Sequence, residues 1–162
     1  MLCANHISYF DPICLGLALW RPVRFMAKSE FFTEHGFFVR TFFTMCGVFP
    51  VRRSSADTVS VNKASLLLKK GKIIGIFPQG GIVRNIPPIR TKAGAALLSA
   101  KSRTPLLPAV IYTEGNVRPF VRITVRFGQP MTADDGSLRA ARILNQRLQT
   151  ELQKLWEEGH GN

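Results

Sequence analysis

Apolar residues in this chain fall into short runs separated by stretches of helical period, and that alternation predicts its elements. Residues 1–4 read as the end of an apolar strand, and a short apolar helix from Asp11 to Trp20 follows. Val23-Arg24-Phe25-Met26-Ala27 is a strand after the turn at Arg21-Pro22. Ser29 is placed to cap a Phe-rich helix that stops near Cys46-Gly47, where glycine suits a left-handed C-terminal position. Val48 to Val51 is a short strand. Ser54 or Ser55 caps the clearest helix, through Lys70, with Val61, Ala64, Ser65 and Leu68 as its apolar stripe and Gly71 at its end. Lys72 to Phe77 is a β-branched strand suited to a sheet covered on both faces, and Pro78-Gln79-Gly80-Gly81 turns the chain. After an irregular loop to Arg90 come a helix from about Lys92 to Ser102, a buried strand from Leu106 to Tyr112 and a strand from Val121 to Phe127. An amphipathic helix from about Ser137 to Glu158 ends the series.

Strands alternating with helices predict an α/β fold with a largely parallel sheet flanked by helices, in a single domain over residues 1–162. Such sheets carry their sites beyond the carboxyl ends of the strands. His6, Arg52-Arg53 and the turn at Pro78 to Gly81 each follow a predicted strand, so the fold would bring them to one rim.

Composition narrows the partners. The chain is 46% hydrophobic, enough for a packed core, and Lys plus Arg outnumber Asp plus Glu by 22 to 10, a formal charge of +12. That excess favours an anionic partner: nucleic acid, a membrane surface or a phosphorylated substrate. No zinc-ligand array or recognition motif supports nucleic acid, and the aromatic residues lie in an apolar segment rather than along a basic stripe. Cys3, Cys14 and Cys46 match no close metal-ligand spacing and read as free thiols in a reducing compartment, so no metal site is assigned. No run reaches the roughly 18 to 20 apolar residues that cross a bilayer. The segment from Glu30 to Val51 holds seven phenylalanines (Phe31, Phe32, Phe37, Phe38, Phe42, Phe43 and Phe49) and is either a core helix or a membrane-facing one.

The candidate chemistry sits at Asn5-His6 and Asp11. A neutral imidazole accepts a proton near neutral pH, and a carboxylate on its other nitrogen fixes the tautomer. Five helical residues rotate a side chain by about 140°, so the two groups can meet only across a bend, with a strand ending before His6 and a helix starting near Asp11, where Pro12 is tolerated. No protein nucleophile accompanies the pair, which points to a substrate hydroxyl as the attacking group. The plainer reading makes Asn5, Asp11 and Pro12 caps and punctuation, with His6 an ordinary polar loop residue.

Four blocks in order resemble the glycerolipid acyltransferases of the lysophosphatidate (1-acylglycerol-3-phosphate) acyltransferase type. Asn5-His6 with Asp11 is similar to the first block, N-H-x-x-x-x-D. Gly47-Val48-Phe49-Pro50-Val51-Arg52-Arg53 is similar to the second, with Arg53 in the substrate-contacting position. Phe77-Pro78-Gln79-Gly80 resembles the third, usually F-P-E-G-T-R, and Leu107-Pro108-Ala109-Val110 the V-P-V-x block.

The resemblance implies a glycerolipid-acyltransferase-like fold and transfer of a fatty acyl group from acyl-CoA or acyl-carrier protein to a lysophospholipid hydroxyl. The acyl thioester is a co-substrate; no cofactor is implied. His6 would be the base, Asp11 its orienting group, and Arg53 with Arg52 the phosphate clamp. Gln79 replaces the usual glutamate, Gly81 the threonine and Ile82 the arginine, with Arg84 two residues further on and Arg90 or Lys92 as substitutes. Gln79 keeps hydrogen bonding but no negative charge. Gly80-Gly81 either presents amides to a phosphate or oxyanion or simply makes a tight turn.

The family's usual helical, membrane-associated segment and full strand before the first block are missing, as in a truncated product, a mis-assigned start or a compact variant. The resemblance places the protein peripherally on the cytoplasmic face of an anionic membrane, with acyl-carrier protein a further partner and no nucleic acid. Acylation of glycerol 3-phosphate or of an aminolipid stays open, as does a non-catalytic basic module that binds anionic membranes.

Overall fold

Six strands form one sheet in the order β3-β2-β4-β1-β5-β6 in the computed structural model, which describes residues 1–28, 36–37, 40–41, 44, 47–51, 58–83, 90–113 and 121–160. The strands are β1 (Leu2–Ala4), β2 (Val23–Lys28), β3 (Phe49–Val51), β4 (Ile73–Ile76), β5 (Leu107–Thr113) and β6 (Ile123–Phe127). The helices are α1 (Asp11–Leu19), α2 (Thr58–Lys69), α3 (Gly94–Ser102) and α4 (Leu138–His160). All pairings are parallel except β5 with β6, which run antiparallel from Ala109 opposite Phe127 to Thr113 opposite Ile123. The predicted α/β class and largely parallel sheet are therefore present, and β1, short as it is, lies between β4 and β5.

Strand alternation sends neighbouring residues to opposite faces. Leu2 and Ala4 join Val23, Phe25, Ala109 and Ile111 against Leu15 of α1, whereas Cys3 and Val110 face α3 and α4. On α4, Leu144, Leu148, Leu152 and Trp156 recur every fourth residue and are buried, so one helical stripe closes that face. Each buried leucine there contributes about 1.5–3 kcal/mol. The Ser137 hydroxyl accepts the Ala140 N–H at 3.0 Å and so caps the helix. Two hydrogen bonds with Ser137 hold the neighbouring Asp135 carboxyl below its ordinary range.

On α2 the expected stripe holds at Ala64, Ser65 and Leu68 but not at Val61. Ala64 is buried and Leu67 and Leu68 pack against Ile74, while Val61 lies exposed toward the helix start. The helix presents the arc centred on Ala64 and Leu68, which Leu67 extends. Gly71 (φ 69°) ends it as predicted, with its N–H on the Leu68 carbonyl. Gly47 (φ 83°) likewise closes the turn before β3. Most of the Phe-rich segment, Cys46 and the proposed caps Ser29, Ser54 and Ser55 lie outside the described residues.

Cys3 and Cys14 are free thiols. Burial pushes the Cys3 thiol up to about 12, with the N-terminal ammonium opposing it. The unfolded chain releases this proton near the ordinary value of 9.0, while the folded chain keeps it. Stability from this group is thus complete below pH 9 and is lost as pH rises toward 12. Urea midpoints across that window are expected to fall, and Cys3→Ala is expected to remove this part of the slope; an unchanged slope in the variant counts against it.

Candidate active site

The chain leaves β1 at Ala4, and the next side chain takes over the sheet's hydrogen bonding. Buried Asn5 donates Nδ2–H to the Ile111 carbonyl at 2.8 Å, and its Oδ1 accepts the Ile111 N–H at 2.7 Å. A primary amide has the donor and acceptor to imitate a peptide group. The β1–β5 ladder is thereby extended by one rung while the backbone turns away toward His6.

The bend between His6 and Asp11 is built around one carboxylate oxygen. Asp11 Oδ2 accepts the Ile7 N–H at 2.7 Å, the Ser8 N–H at 2.9 Å and the His6 Nδ1–H at 2.7 Å. Asp11 is the first residue of α1, where the helix dipole favours a negative charge, and Pro12 follows without losing a bond. Because Oδ2 already takes two backbone donors, the imidazole meets it as a third donor. In the neutral ring Nδ1 then carries the hydrogen and Nε2 is left as the acceptor. The Asp11 side chain is 2% exposed and that of His6 16%, so the carboxylate is sealed and the imidazole reaches the surface.

The third block folds back onto the first. Gln79 Oε1 accepts the His6 N–H at 3.0 Å, and the Val83 N–H donates to the His6 carbonyl at 2.7 Å. The His6 backbone is gripped on both sides by a turn more than seventy residues away. This bond to Gln79 needs only an acceptor oxygen, which glutamine and glutamate both supply. The Gly80 N–H closes the turn on the Phe77 carbonyl at 3.1 Å, and Gly80 adopts φ 88°. Gly80 thus makes the tight turn that one of its two readings expects. The Lys92 N–H donates to the Pro78 carbonyl at 2.8 Å, so exposed Lys92 and Arg90 stand beside the same turn. Arg52, Arg53 and Arg84 lie outside the described residues.

Phe77 was singled out in sequence only as the block's first letter, yet it stacks on the His6 ring, with centroids 3.9 Å apart and planes 10° apart. Asn5 carried no role beyond its block either. The available signal was a lone amide at the end of an apolar strand, which burial obliges to find partners. A groove of about 460 Å³ lined by Gln129, Met131, Ile143 and Arg147 lies elsewhere. Met131 bridges to Leu106 at the start of β5, whereas His6 lies past the end of parallel β1, so that groove is at the opposite end of the sheet.

Comparison with known proteins identifies the family. An acyltransferase family model matches residues 1–112. A 1-acyl-sn-glycerol-3-phosphate acyltransferase of Bacillus subtilis is 31% identical over 110 residues, covering 67% of this chain and 53% of that protein. One from Borreliella burgdorferi is 28% identical over 118 residues, covering 72% and 46%. The chain thus spans about half the length of these curated relatives. The crystal structure of the 1-acyl-sn-glycerophosphate acyltransferase PlsC from Thermotoga maritima shares the fold, with a TM-score of 0.67 at 20% identity over 98% of this chain and 66% of that one. With its histidine and aspartate joined at a strand-to-helix bend and its third block folded onto the first, the chain belongs to the acyltransferase family.

Proposed function

We propose that this protein transfers a fatty acyl group from acyl-CoA or acyl-carrier protein to the free hydroxyl of a lysophospholipid, 1-acylglycerol 3-phosphate foremost. The observation that carries the proposal is the His6 imidazole bound through Nδ1 to buried Asp11, with Nε2 as acceptor at the rim of the sheet. Nε2 takes the hydroxyl proton while the oxygen attacks the thioester carbonyl. The C–S bond breaks as the ester forms, and the proton passes from the imidazolium to the departing sulfur. Asp11 stabilises the transient imidazolium through its short hydrogen bond. Neither an acyl-enzyme nor a metal is required; alignment of the two substrates supplies the rest of the acceleration. Arg53, aided by Arg52 and by Arg84, Arg90 or Lys92, binds the phosphate through paired guanidinium donors or as a point charge.

The surface of α1 supports work on a membrane. Phe10, Leu17 and Trp20 lie along one side of this helix and are 61%, 67% and 92% exposed, with no charged residue between Asp11 and Arg21. Trp20 adopts φ 51°, a conformation costly for a bulky residue, and gains no burial from it. Among the described residues no helix is long and apolar enough to cross a membrane, so these side chains fit peripheral contact with an anionic surface.

The test is phosphatidate formation by purified protein given an acyl thioester and anionic vesicles that carry lysophosphatidate. Product is expected, at a rate that falls as salt screens the +12 charge from the vesicle. Absence of transfer to lysophosphatidate, glycerol 3-phosphate and other lysolipids alike, with intact vesicle binding, would favour the non-catalytic module.

A further inference from the structure

The His6 ring is constrained in two perpendicular ways. Its Nδ1 is held in the ring plane by Asp11 at 2.7 Å. That single bond still leaves the imidazole room to rock about its χ1 and χ2 bonds, which would swing Nε2 away from the substrate oxygen. Phe77 lies flat on the ring, with centroids 3.9 Å apart and planes 10° apart, and removes that freedom. Phe77 is in turn backed by Phe25, at 5.1 Å between centroids and 13° between planes.

Phe25 is 2% exposed and lies opposite Gly75 in the β2–β4 register. A Cβ added at Gly75 would overlap the Phe25 ring at Cε1, Cδ1 and Cζ. The missing side chain in β4 is what lets Phe25 lie against the sheet and present its face to Phe77. Glycine weakens a strand interior and persists where another group must approach closely. A four-residue strand with a glycine in it is therefore explained by the ring it accommodates.

We infer that Gly75, Phe25 and Phe77 form a stacked column that sets the plane of the His6 imidazole, with Phe77 a positioning residue for the base. The inference rests on the proposal that His6 is that base. A hydrogen bond at Nδ1 and a stack on the ring face together fix where Nε2 points, and the column does so from buried Phe25 and half-buried Phe77. The face of Phe77 is also electron-rich and lies against the positive charge the imidazole acquires during transfer. Misalignment of a reacting group by as little as about 1 Å lowers rates by up to about 100-fold.

The experiment compares Phe77→Leu, Phe77→Tyr and Gly75→Ala in the full chain, by acyl-transfer kinetics and by NMR of the His6 ring protons. Phe77→Leu is expected to lower kcat about 10-fold with both KM values unchanged. It should also move the His6 carbon-bound protons downfield as the shielding ring is lost. Phe77→Tyr keeps the ring and is expected to restore both readouts. Gly75→Ala displaces the column from beneath without changing the ring on His6, and is expected to shift the same protons in protein that still melts cooperatively. In a His6→Ala background, Phe77→Leu should cost nothing further. Wild-type turnover by Phe77→Leu, or an equal loss with and without His6, overturns the positioning role. Full activity of His6→Ala would instead overturn the base reading itself, so the two failures are separable.

Discussion

His6→Ala is expected to lower kcat for acyl transfer by roughly 100- to 10,000-fold, the range that a positioned general base contributes. Binding should change little, because the proposed mechanism gives the phosphate and the acyl chain to other groups. The replacement breaks a single side-chain hydrogen bond and leaves the His6 backbone bonds to Gln79 and Val83 in place, so the fold should survive. Asp11→Asn sharpens the test. All three bonds at residue 11 end on one oxygen, Oδ2, and an amide oxygen can occupy that place and keep the Ile7 and Ser8 donors. The bend would persist while the charge that stabilises the imidazolium disappears. A fall in kcat approaching that of His6→Ala, in protein of near-native melting temperature, is the expected result. Turnover by His6→Ala within a few-fold of wild type, measured as phosphatidate formed per enzyme, would remove His6 from the mechanism.

Asn5→Ala is expected to have the largest effect on stability, about 2–5 kcal/mol, because it strips partners from two buried backbone groups of Ile111 at once. Asn5→Asp tests the same bonds by a different route. It keeps an acceptor for the Ile111 N–H at 2.7 Å but sets a second carboxylate oxygen against the Ile111 carbonyl, where Nδ2 donated at 2.8 Å. It should destabilise as well, and by a pH-dependent amount that eases when the carboxyl is protonated. Urea denaturation midpoints measure both variants, and a change below about 1 kcal/mol for Asn5→Ala would mean that water replaces the amide. Since His6 follows Asn5 directly, the end of β1 and the His6 imidazole are anchored together.

These anchors lie within a few residues of the candidate chemistry. Residue 5 closes the sheet, residue 6 carries the imidazole, and residues 7 and 8 donate to residue 11. A seven-residue stretch thus joins core, bend and helix start, and the distant turn at Pro78 to Val83 completes it through Gln79 and Val83. The glutamine that departs from the family's usual third block still braces His6, because that bond draws on an oxygen rather than on a charge.

Much of this was legible in the order of residues. The runs at Val23 and Ile73, the glycines at 47 and 71 and the period of α4 are local signals, since side-chain direction repeats every two residues in a strand and every 3.6 in a helix. The bend between His6 and Asp11 followed from spacing alone, and their 2.7 Å contact agrees with it. Gly75 inside a β-branched run was a readable sign of a close approach, though not of which ring approaches.

Local periodicity carries no information about partners far along the chain, and there only the tertiary structure decided. It turned β6 antiparallel, joined Asn5 to Ile111 across 106 residues and brought Gln79 to the His6 amide. It also laid Phe77 on the imidazole and left Trp20 at the surface, because packing sets which face of an apolar segment meets the core. The sequence by itself determined most of the described elements and the pairing of His6 with Asp11. The fold determined the orientation of that pair, since orientation depends on contacts between segments that no local pattern encodes.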